Sequence, residues 1–432
     1  MFRLRSPLYA QIELTSSCNL GCSHCYNEER FLEGRLIKPI RENLPTENFP
    51  AIARELVRND VFATTLTGGE PLKTRDRLYQ TAEVLAQENL DVTLNSNLTL
   101  LTEDDAQRLT DSGITGIMTS LFSNNPKTHD RITGIKGSHR RTLRGLGLLA
   151  KQNIPVAVNM VVSQHNRDHV YDTGIFVNSL GADSFQSAQA IPSNSGGLKH
   201  LEHSLTMENL LQYLEELHRV RQDTGMFVKL TNPIPYCLVW NDKPYLRYLA
   251  ETSTCTGGRT IIQVSPEGEV KPCPMVDVSY GNILEEGLDV VWERMGEWSK
   301  DRYVPNECKP CDLTEICRGS CRAEAQRMMG SLDSQSPFST EPITGSSTVI
   351  PSLPKGTELI PLQELKAREE YPGLYTLFTR DRYLVVPEVS ARFISAIKRK
   401  GSLTIDEQVT GNPEVLKLVT SAYNAGILRK AA

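Results

Sequence analysis

The feature that most constrains the fold is a repeated alternation of strand-like and helix-like segments over residues 1–195. Runs rich in β-branched residues and bounded by Gly, Pro or Asn predict strands at Leu8–Leu14, Phe62–Thr67, Asp91–Asn95, Gly116–Leu121, Pro155–Val162 and Asp183–Ile191. The stretches between them predict helices, among them Thr46–Arg58, Leu78–Glu88 and Arg140–Lys151. Because helical crossovers join parallel strands, the pattern predicts an α/β fold whose six strands curl into an open, partial (β/α)6 barrel.

The segments after the predicted barrel differ from it in composition. Residues 196–250 predict a helical bridge, with its clearest helix at Thr206–Gln222. Residues 251–340 are rich in cysteine and poor in long periodic segments, so we expect a small domain stapled by metal. Residues 341–356 are rich in Ser, Thr, Pro and Gly and predict a linker. Residues 357–432 predict a small α+β domain, with a strand pair near Leu374–Val386 and helices near Ser390–Arg399, Thr404–Thr410 and Pro413–Ala425.

Charge and hydropathy exclude several classes of protein. The formal net charge of −5 predicts neither a nucleic-acid partner nor attachment to an anionic membrane. No apolar run approaches the roughly 20 residues that span a bilayer. The first residues, MFRLRSPLYAQIEL, lack the apolar core and the cleavage site of a signal peptide. We therefore expect a cytoplasmic protein.

Nine of the ten cysteines fall into three groups, which indicates metal ligation because cytosolic thiols rarely form disulfides. The first group, Cys18-x3-Cys22-x2-Cys25, directly follows the first predicted strand. Three thiolates can hold a four-iron cluster and leave one iron open to a small molecule. The alternative is a zinc site in which His24 supplies the fourth ligand.

A second motif, Thr67-Gly68-Gly69-Glu70-Pro71, follows the second predicted strand. The two glycines let backbone groups approach a ligand closely, and the Glu70 carboxylate can accept a hydrogen bond from a charged amine. Functional residues of parallel barrels lie at the carboxyl ends of the strands, where both motifs fall. Taken alone, Gly-Gly-Glu-Pro is most often a plain turn. After a predicted barrel strand and the three cysteines, however, it indicates a ligand-binding motif.

The CxxxCxxC spacing, with His24 before the third cysteine and the Gly-Gly-Glu motif after it, resembles the radical S-adenosylmethionine (radical SAM) superfamily, whose fold is a partial TIM-like barrel. The resemblance implies a [4Fe–4S] cluster whose open iron chelates S-adenosylmethionine, with Gly68, Gly69 and Glu70 around the methionyl ammonium. One electron, from a donor such as flavodoxin or ferredoxin, then cleaves the sulfonium to a 5′-deoxyadenosyl radical. Such chemistry implies an oxygen-poor setting.

Weaker matches follow along the later strands. Ser96-Asn97 resembles the Thr-Asn-Gly turn of the family, although Leu98 stands in place of its glycine, and the resemblance implies that Asn97 binds the cofactor. Ser120 matches the serine after the fourth strand. Arg144 stands where related maturases place an arginine for the methionyl carboxylate, and a solvated helix arginine is the alternative. The sequence singles out no residue for the chemistry on the substrate itself.

The later cysteines, Cys255-x12-Gly268-x4-Cys273 and Cys308-x2-Cys311-x5-Cys317-x3-Cys321, resemble the SPASM domain of radical enzymes that modify peptides and proteins. The resemblance implies two auxiliary iron–sulfur clusters. The nearer one would use Cys255, Cys273 and Cys321, and the farther one would use Cys308, Cys311 and Cys317. A zinc ribbon is the alternative for the last four cysteines.

Two features depart from the SPASM pattern. The family has a last cysteine where this chain has Ser339, so the farther cluster lacks one expected thiolate. It would then use an oxygen ligand, water or substrate, or be a smaller cluster. Cys237 lies outside the pattern, and we expect it to be either the fourth ligand of the nearer cluster or a buried free thiol.

Residues 357–432 resemble, by hydrophobic pattern only, the small winged-helix module that binds leader peptides in the maturation of ribosomal peptides, the RiPP recognition element. In such modules an extended peptide adds a strand to an exposed sheet edge. A structural cap without a ligand is the alternative. The single basic run Lys398-Arg399-Lys400 is too short for a DNA-binding face.

These features predict an enzyme that cleaves S-adenosylmethionine and modifies a ribosomally synthesised precursor peptide by crosslinking, thioether formation, epimerisation or backbone excision. Its partners would be the precursor with its leader, the electron donor and, in one arrangement, a separate peptide-binding protein. An anaerobic sulfatase-type maturase is one alternative, although Pro274 stands where those enzymes carry an Asp next to the cysteine. An iron–sulfur redox-sensing regulator is the alternative from another class.

Overall fold

A computed structural model describes residues 3–27, 31–32, 35–36, 44–152, 154–192, 203–276, 278–345, 356–362, 364–379, 382–410, 412–425 and 427–431. The chain forms two compact units. The first unit comprises Met1–Arg3 and Tyr9–Gly345, and the second comprises Leu4–Leu8 and Ser346–Ala432. The predicted bridge and cysteine-rich segments both belong to the first unit, and the domain boundaries drawn within it stay predictions.

The first unit is built on a nine-stranded sheet with the order β11-β10-β1-β4-β5-β6-β7-β8-β9. Every neighbouring pair in this sheet is parallel except β10 and β11, and a separate antiparallel pair is formed by β2 and β3. The strands are β1 (Tyr9–Glu13), β2 (Phe31–Leu32), β3 (Arg35–Leu36), β4 (Ala63–Thr67), β5 (Asp91–Asn95), β6 (Ile114–Ser120), β7 (Val156–Val162), β8 (Ser184–Gln189), β9 (Phe227–Leu230), β10 (Ile261–Val264) and β11 (Val270–Lys271).

Helices connect the parallel strands, and local signals mark where they begin. Thr102 and Asp105 form a capping box at the start of α3, and Asn125 caps α4 with Pro126 as its first residue. The helices of the first unit are α1 (Phe49–Arg58), α2 (Arg75–Gln87), α3 (Glu103–Asp111), α4 (Pro126–Thr133), α5 (Ser138–Leu149), α6 (Val170–Ser179), α7 (Met207–Thr224), α8 (Arg247–Glu251), α9 (Ile283–Glu286), α10 (Leu288–Arg294), α11 (Thr314–Cys317) and α12 (Arg322–Met329).

The predicted fold class, an α/β partial barrel, is confirmed. Each of the six predicted strands corresponds to an observed one, namely β1, β4, β5, β6, β7 and β8. The structure adds β9 and β10 as parallel strands at the two ends of this run and β11 beyond them. These strands are only two to four residues long. Such short runs carry little periodic signal, so their pairing with the barrel depends on contacts distant in sequence.

Side chains alternate between the two faces of the sheet, as the strand period of two requires. One face is apolar and fully buried, as at Ile12, Leu66 and Leu94. Half-buried polar side chains line the other face, namely Gln11, Thr93, Asn95, Ser120, Asn159 and Gln186. Because the strands are parallel, the loops after β1, β4, β5 and β6 leave the sheet at the same edge.

The second unit contains two three-stranded antiparallel sheets and three helices around its own apolar core. The sheet orders are β16-β12-β17 and β13-β14-β15. The elements are β12 (Glu358–Pro361), β13 (Lys366–Tyr371), β14 (Leu374–Thr379), β15 (Arg382–Pro387), α13 (Glu388–Lys400), β16 (Leu403–Thr404), α14 (Glu407–Thr410), α15 (Pro413–Asn424) and β17 (Leu428–Lys430). The predicted strand pair and three helices correspond to β14, β15, α13, α14 and α15.

A buried ion pair attaches the N-terminal segment to this second unit. Arg368 and Glu370 form a salt bridge of 2.8 Å, and their side chains are 2% and 0% exposed. Arg368 also donates to the carbonyls of Ser6 (2.8 Å) and Pro7 (3.1 Å), and Glu370 accepts from the backbone N–H of Arg5 (2.9 Å). The Arg368 guanidinium is therefore buried together with the carboxylate and the two carbonyls that accept its hydrogen bonds.

Within the residues that the structure describes, no helix combines the length and apolar character needed to cross a membrane.

Candidate functional site

The loop that carries Cys18, Cys22 and Cys25 is bound along one side to the glycine motif. The N–H of Gly69 donates to Thr15 O at 2.5 Å, and the N–H of Glu70 donates to Ser17 O at 2.9 Å. A Cβ on Gly69 would overlap the carbonyl of Ser17, and a Cβ on Gly68 would overlap that of Thr15. Only glycine therefore lets the two loops approach this closely.

The other side of the cysteine loop is bound to the end of α4. Gly21 N donates to Thr133 O and Ser23 N donates to Ile132 O, each at 2.9 Å. Gly134 ends the helix in the left-handed region, with a φ of 69°. Backbone hydrogen bonds from two neighbouring elements thus shape the loop independently of any ligand.

The donor set of this loop fits an iron–sulfur cluster. Cys18, Cys22 and Cys25 form no disulfide, and each is half-buried. Leu20 N lies 3.5 Å from Cys18 Sγ, and the Asn97 amide lies 3.9 Å from the same sulfur. N–H donors aimed at a sulfur stabilise a thiolate ligand and tune the cluster potential. Among the described residues, no group of three or more His, Cys, Asp or Glu side chains is arranged to hold a single metal ion.

The Asn97 side chain is fixed by its neighbours. Its amide donates to Asn19 Oδ1 at 3.0 Å, and its Oδ1 accepts from the N–H (2.9 Å) and the hydroxyl (2.6 Å) of Thr99. The same amide nitrogen lies 3.9 Å from Cys18 Sγ, so one of its hydrogens can be directed at that sulfur. The structure thus places Asn97, which the sequence singles out for the cofactor, against the cysteine loop.

The carboxylate of Glu70 is buried and joins two loops of the site. It accepts hydrogen bonds from the Ser96 hydroxyl (2.7 Å), from Asn97 N (2.8 Å) and from Leu72 N (3.1 Å). The expected contact of Glu70 with a ligand amine stays a prediction. The structure shows in addition that Glu70 positions the turn after β5, a role that its motif alone did not reveal.

Leu98, which replaces the glycine of the family's turn, still adopts the left-handed conformation with a φ of 58°. The Ser96 hydroxyl accepts from its N–H at 3.1 Å, and its side chain is fully buried. A Cβ on Gly145 of α5 would lie 2.7 Å from Leu98 Cβ. The turn thus contains a leucine in a conformation that glycine adopts easily, and Gly145 on the facing helix leaves room for the leucine side chain.

His24 lies beside the first cysteines with its ring edge against Phe122, the two ring centres 4.5 Å apart. Its Nδ1 is shielded from water and finds no hydrogen-bond partner among the described residues. Burial, followed by the proximity of His203 and His129, lowers the pKa of His24 to about 3. The ring is therefore neutral near pH 7 and can offer a lone pair or an N–H to a ligand.

The His129-Asp130 pair supports the site from α4. His129 Nδ1 accepts from Phe122 N at 3.2 Å, and Asp130 accepts from Ser138 and His139 at 2.9 Å each. Burial raises the pKa of Asp130, but the hydrogen bonds from His139 and its neighbours outweigh this effect and lower it overall. Asp130 therefore stays ionised at the start of α5, where a negative charge is favourable.

Two predicted cofactor residues lie elsewhere in the barrel. Ser120 is half-buried at the end of β6 and pairs in register with Asn159 of β7, whose Oδ1 is buried without a hydrogen-bond partner among the described residues. Arg144 is exposed on α5, and its guanidinium donates to Leu101 O at 2.6 Å. The cofactor roles of Ser120 and Arg144 stay predictions.

Three of the later cysteines lie together as one group. Burial, and then the proximity of Cys255, raises the pKa of Cys273 to about 12. Burial likewise raises the pKa of Cys321, and both Cys255 and Cys273 lie close enough to act on it. Neutral thiols of this kind lose their protons when a metal binds them.

A second group forms a separate cavity lined by Cys237, Cys308, Cys311 and Cys317. Burial raises the pKa of Cys308 to about 11, with contributions from Cys317, Cys237 and Cys311. We expect Cys237 to be either a ligand of the nearer cluster or a free thiol; the structure places it at this second cavity, and a ligand role stays a prediction. The reason is tertiary, because the helical turn after Pro235 brings Cys237 against Cys317, with Tyr236 N 3.5 Å from the Cys317 sulfur.

Two buried ionisable residues lie next to these groups, and no sequence motif singles them out. Arg322 donates to the carbonyls of Tyr303 (3.2 Å), Leu332 (3.0 Å) and Ser334 (2.8 Å). Burial lowers the pKa of Arg322, and nearby cysteines of both groups act in the opposite direction. Glu324 is buried, which raises its pKa to about 8, and it accepts from Gln189 at the end of β8. Their nearness to cysteine ligands was the only signal in the sequence.

Comparison with known proteins agrees with this architecture. The profile of the radical SAM superfamily matches residues 12–176, and that of the SPASM iron–sulfur cluster-binding domain matches residues 255–322. The AdoMet-dependent heme synthase of Methanosarcina barkeri is 28% identical over 346 residues, which cover 77% of this chain and 96% of that protein. The PqqA peptide cyclase of Rhizobium meliloti is 24% identical, with coverage of 78% and 87%.

Solved structures show the same fold. Streptococcus suis SuiB bound to S-adenosylmethionine superposes with a TM-score of 0.62 at 18% identity and covers 77% of each chain. The same protein bound to its precursor peptide SuiA gives a TM-score of 0.61 at 17% identity, with coverage of 77% of this chain and 75% of that one. At such identities the likeness concerns the fold alone.

Proposed function

The chain belongs to the radical SAM superfamily and carries a SPASM domain, and from this premise we propose that it cleaves S-adenosylmethionine reductively in order to modify a ribosomally synthesised precursor peptide. The observation that carries the proposal is the three-thiol loop held between the glycine motif and α4. This loop would hold a four-iron cluster through three cysteines and leave one iron without a protein thiolate. The SPASM cysteines support a role for auxiliary clusters in the same reaction.

A cluster and S-adenosylmethionine bound here would supply the radical chemistry, namely a 5′-deoxyadenosyl radical for hydrogen abstraction from the substrate. The protein's own contribution is to position these groups and exclude water. Gly68, Gly69 and Glu70 would hold the methionyl ammonium, and the Asn97 amide would stabilise the Cys18 thiolate. The neutral ring of His24 would offer its shielded Nδ1 to the bound nucleotide. We keep Ser120 and Arg144 as proposed ligands of the same molecule.

A peptide substrate is supported by two of the relatives. One relative is a PqqA peptide cyclase, and SuiB has been solved in complex with its precursor peptide SuiA. The half-buried polar face of the barrel sheet, including Gln11, Asn159 and Gln186, would face such a substrate. The reaction class, whether crosslink, thioether, epimerisation or backbone excision, follows from the precursor rather than from the fold.

The second unit would bind the leader of the precursor. In the sheet β13-β14-β15, strand β15 is an edge strand, and an extended peptide can add to such an edge through backbone hydrogen bonds. The N-terminal segment contacts β13 through Arg368 instead, at the opposite edge strand. We propose β15 as the edge that the leader joins, with a separate peptide-binding protein docked there as the alternative.

Haem synthesis is a second candidate function because the heme synthase of M. barkeri is 28% identical. The alignment with the heme synthase covers 77% of this chain and that with the PqqA peptide cyclase covers 78%, so the two candidate functions are distinguished by experiment and not by coverage. A cytoplasmic location and a flavodoxin or ferredoxin donor complete the proposal.

The test compares the reconstituted enzyme with a variant in which Cys18, Cys22 and Cys25 are all replaced by Ala. We expect the variant to lose about four irons per chain and all formation of 5′-deoxyadenosine. Candidate precursor peptides and a haem precursor are then incubated separately with the intact enzyme, and the products are analysed by mass spectrometry. A modified peptide supports the proposal, whereas conversion of the haem precursor alone would replace it with the second candidate.

A further inference from the structure

The cavity around Cys308, Cys311 and Cys317 contains a fourth cysteine that does not belong to the sequence motif. Cys237 lines the same cavity, and it comes from the short helical turn Tyr236–Leu238 rather than from the SPASM segment. All four thiols are free. Four thiolates are the complete ligand set of an ordinary [4Fe–4S] cluster.

Backbone hydrogen bonds hold Cys237 in this place from two directions. Tyr236 N lies 3.5 Å from Cys317 Sγ, which ties the turn to the motif. Thr340 N lies 3.3 Å from Cys237 Sγ, which ties the cysteine to the chain that follows the motif. Tyr236 itself is buried and stacks on Trp240 at 5.7 Å between ring centres. Such N–H donors to sulfur are typical of thiolates that ligate iron.

Ser339 lines the same cavity, next to Thr340. The position at which relatives place their last cysteine therefore does reach the cluster site in this chain. A serine hydroxyl is a weaker ligand than a thiolate for the iron of such a cluster, because iron–sulfur clusters favour soft thiolate ligands. A thiolate in the same cavity would therefore be preferred over Ser339. The cavity thus contains the Cys237 thiol, from the turn Tyr236–Leu238, in addition to Ser339, which stands where the SPASM pattern has a cysteine.

We propose that Cys237 is the fourth thiolate ligand of the farther auxiliary cluster, completing Cys308, Cys311 and Cys317 in place of the cysteine that Ser339 replaces. This inference rests on the proposed function only in requiring that the SPASM cysteines bind an iron–sulfur cluster. On ligation the Cys237 thiol loses its proton to solvent and its sulfur binds iron. The farther cluster then has no iron open to substrate, and all ten cysteines of the chain serve clusters.

The first test uses the unmodified protein loaded with its clusters under anaerobic conditions. Iodoacetamide is added, the protein is digested, and the alkylated cysteines are identified by mass spectrometry, with the metal-free protein as the reference. We expect Cys237 to be protected to the same degree as Cys308 and Cys311. Alkylation of Cys237 while those two stay protected would overturn the proposal.

The second test moves the thiol within the cavity. We expect Cys237→Ser to lower the iron content by up to about four atoms per chain, or to change the electron paramagnetic resonance signal of one auxiliary cluster. The double variant Cys237→Ser/Ser339→Cys restores a thiol at the family position and should recover the iron and the signal. Ser339→Cys alone is the control and should change neither. Iron and spectra that are identical in Cys237→Ser and the unmodified protein would contradict the assignment.

These readouts need no peptide, so the inference and the proposed function can fail separately. If Cys237 is protected and the thiol swap restores the cluster while no peptide is modified, the ligand assignment holds and the substrate proposal fails. If peptides are modified but Cys237→Ser retains every cluster signal, only the ligand assignment fails. If Cys237→Ser also loses the signal of the cluster at Cys18, the fold of the variant is in question, and the double variant Cys237→Ser/Ser339→Cys decides. Failure of the double variant to recover the auxiliary cluster would count against the assignment.

Discussion

At the scale of single residues, the site depends on a buried carboxylate that joins its loops. Glu70 accepts hydrogen bonds from Leu72, Ser96 and Asn97, and the last two belong to the turn that holds Asn97 toward Cys18. An ionised acceptor serving several donors is stronger than a neutral one, and leaving buried donors unpaired is costly. Glu70 therefore links the glycine motif, the turn after β5 and the cysteine loop.

Replacing Glu70 with Gln tests this link. The amide N–H2 of Gln would face the N–H and hydroxyl donors of Asn97 and Ser96, so at least one of these bonds is lost. Because a hydrogen bond to a charged group contributes about 1.5–3 kcal/mol, we expect the Kd for S-adenosylmethionine to rise roughly 10- to 100-fold. Isothermal titration calorimetry measures the change. The exposed Glu83→Gln on α2 is the matched control and should bind as the unmodified enzyme does; equal affinity in both variants would refute the role of Glu70.

The left-handed Leu98 offers a second test at this scale, because α5 carries two glycines with opposite surroundings. A Cβ on Gly145 would press on Leu98, whereas nothing lies within 4 Å of a Cβ on Gly147. We expect Gly145→Ala to displace the turn, destabilise the protein by about 1–3 kcal/mol and weaken S-adenosylmethionine binding.

Gly147→Ala is the matched control in the same helix. It should stabilise the protein by about 0.5–1 kcal/mol, because alanine loses less backbone entropy than glycine in a helix. Urea unfolding followed by circular dichroism gives both values. The packing argument for Leu98 fails if the two variants shift the unfolding midpoint in the same direction.

At the scale of secondary-structure elements, strand β13 binds the N-terminal segment, residues 4–8, within the second unit. Arg368 donates hydrogen bonds to the carbonyls of Ser6 and Pro7 and to the carboxylate of Glu370, and both Arg368 and Glu370 are buried. A buried pair of this kind adds little to stability by itself. Removing one partner is nevertheless severe because it strands the other charge.

We expect Arg368→Met to destabilise the second unit by about 3–5 kcal/mol. The control is Arg392→Met on α13, which breaks an exposed pair with Glu388 and should cost no more than about 0.5 kcal/mol. Hydrogen exchange at β13 and β14 reports on this unit separately from the first. Equal protection of these strands in the two variants would show that the buried pair does not hold the segment.

At the scale of the whole molecule, two separate apolar cores indicate two tasks. The first core lies around the barrel and the cysteine groups, and the second lies between the small sheets and α13 and α15. Units with their own cores can retain structure independently. The barrel would therefore hold S-adenosylmethionine while the second unit holds the leader peptide.

Deleting Ser346–Ala432 tests this division of labour. We expect the shortened chain to keep its iron content and its uncoupled formation of 5′-deoxyadenosine, and to lose at least 10-fold in affinity for the full precursor. Fluorescence anisotropy with a labelled precursor measures binding, and iron analysis controls for the loss of cover over residues 4–8. Unchanged modification of the full precursor by the shortened chain would show that the second unit does not recognise the leader.

The amino-acid sequence by itself determined the features that depend on near neighbours in the chain. The period of two and the helical spacing located six barrel strands, and the spacing of Cys18, Cys22 and Cys25 identified the cluster loop. The glycine motif was recognisable because its glycines meet a local steric need. The SPASM cysteines were recognisable for the same reason, since their ligand spacing is short and regular.

Only the tertiary structure decided which distant groups meet. Cys237 joins Cys308 across the fold, and Gly145 opens space for Leu98 although no local pattern relates the two residues. The short strands β9 and β10 exist because the edges of the parallel sheet offer them hydrogen-bond partners. Local propensity is too weak to specify such pairings, because burial against neighbouring elements supplies most of their free energy and arises only once the chain has folded.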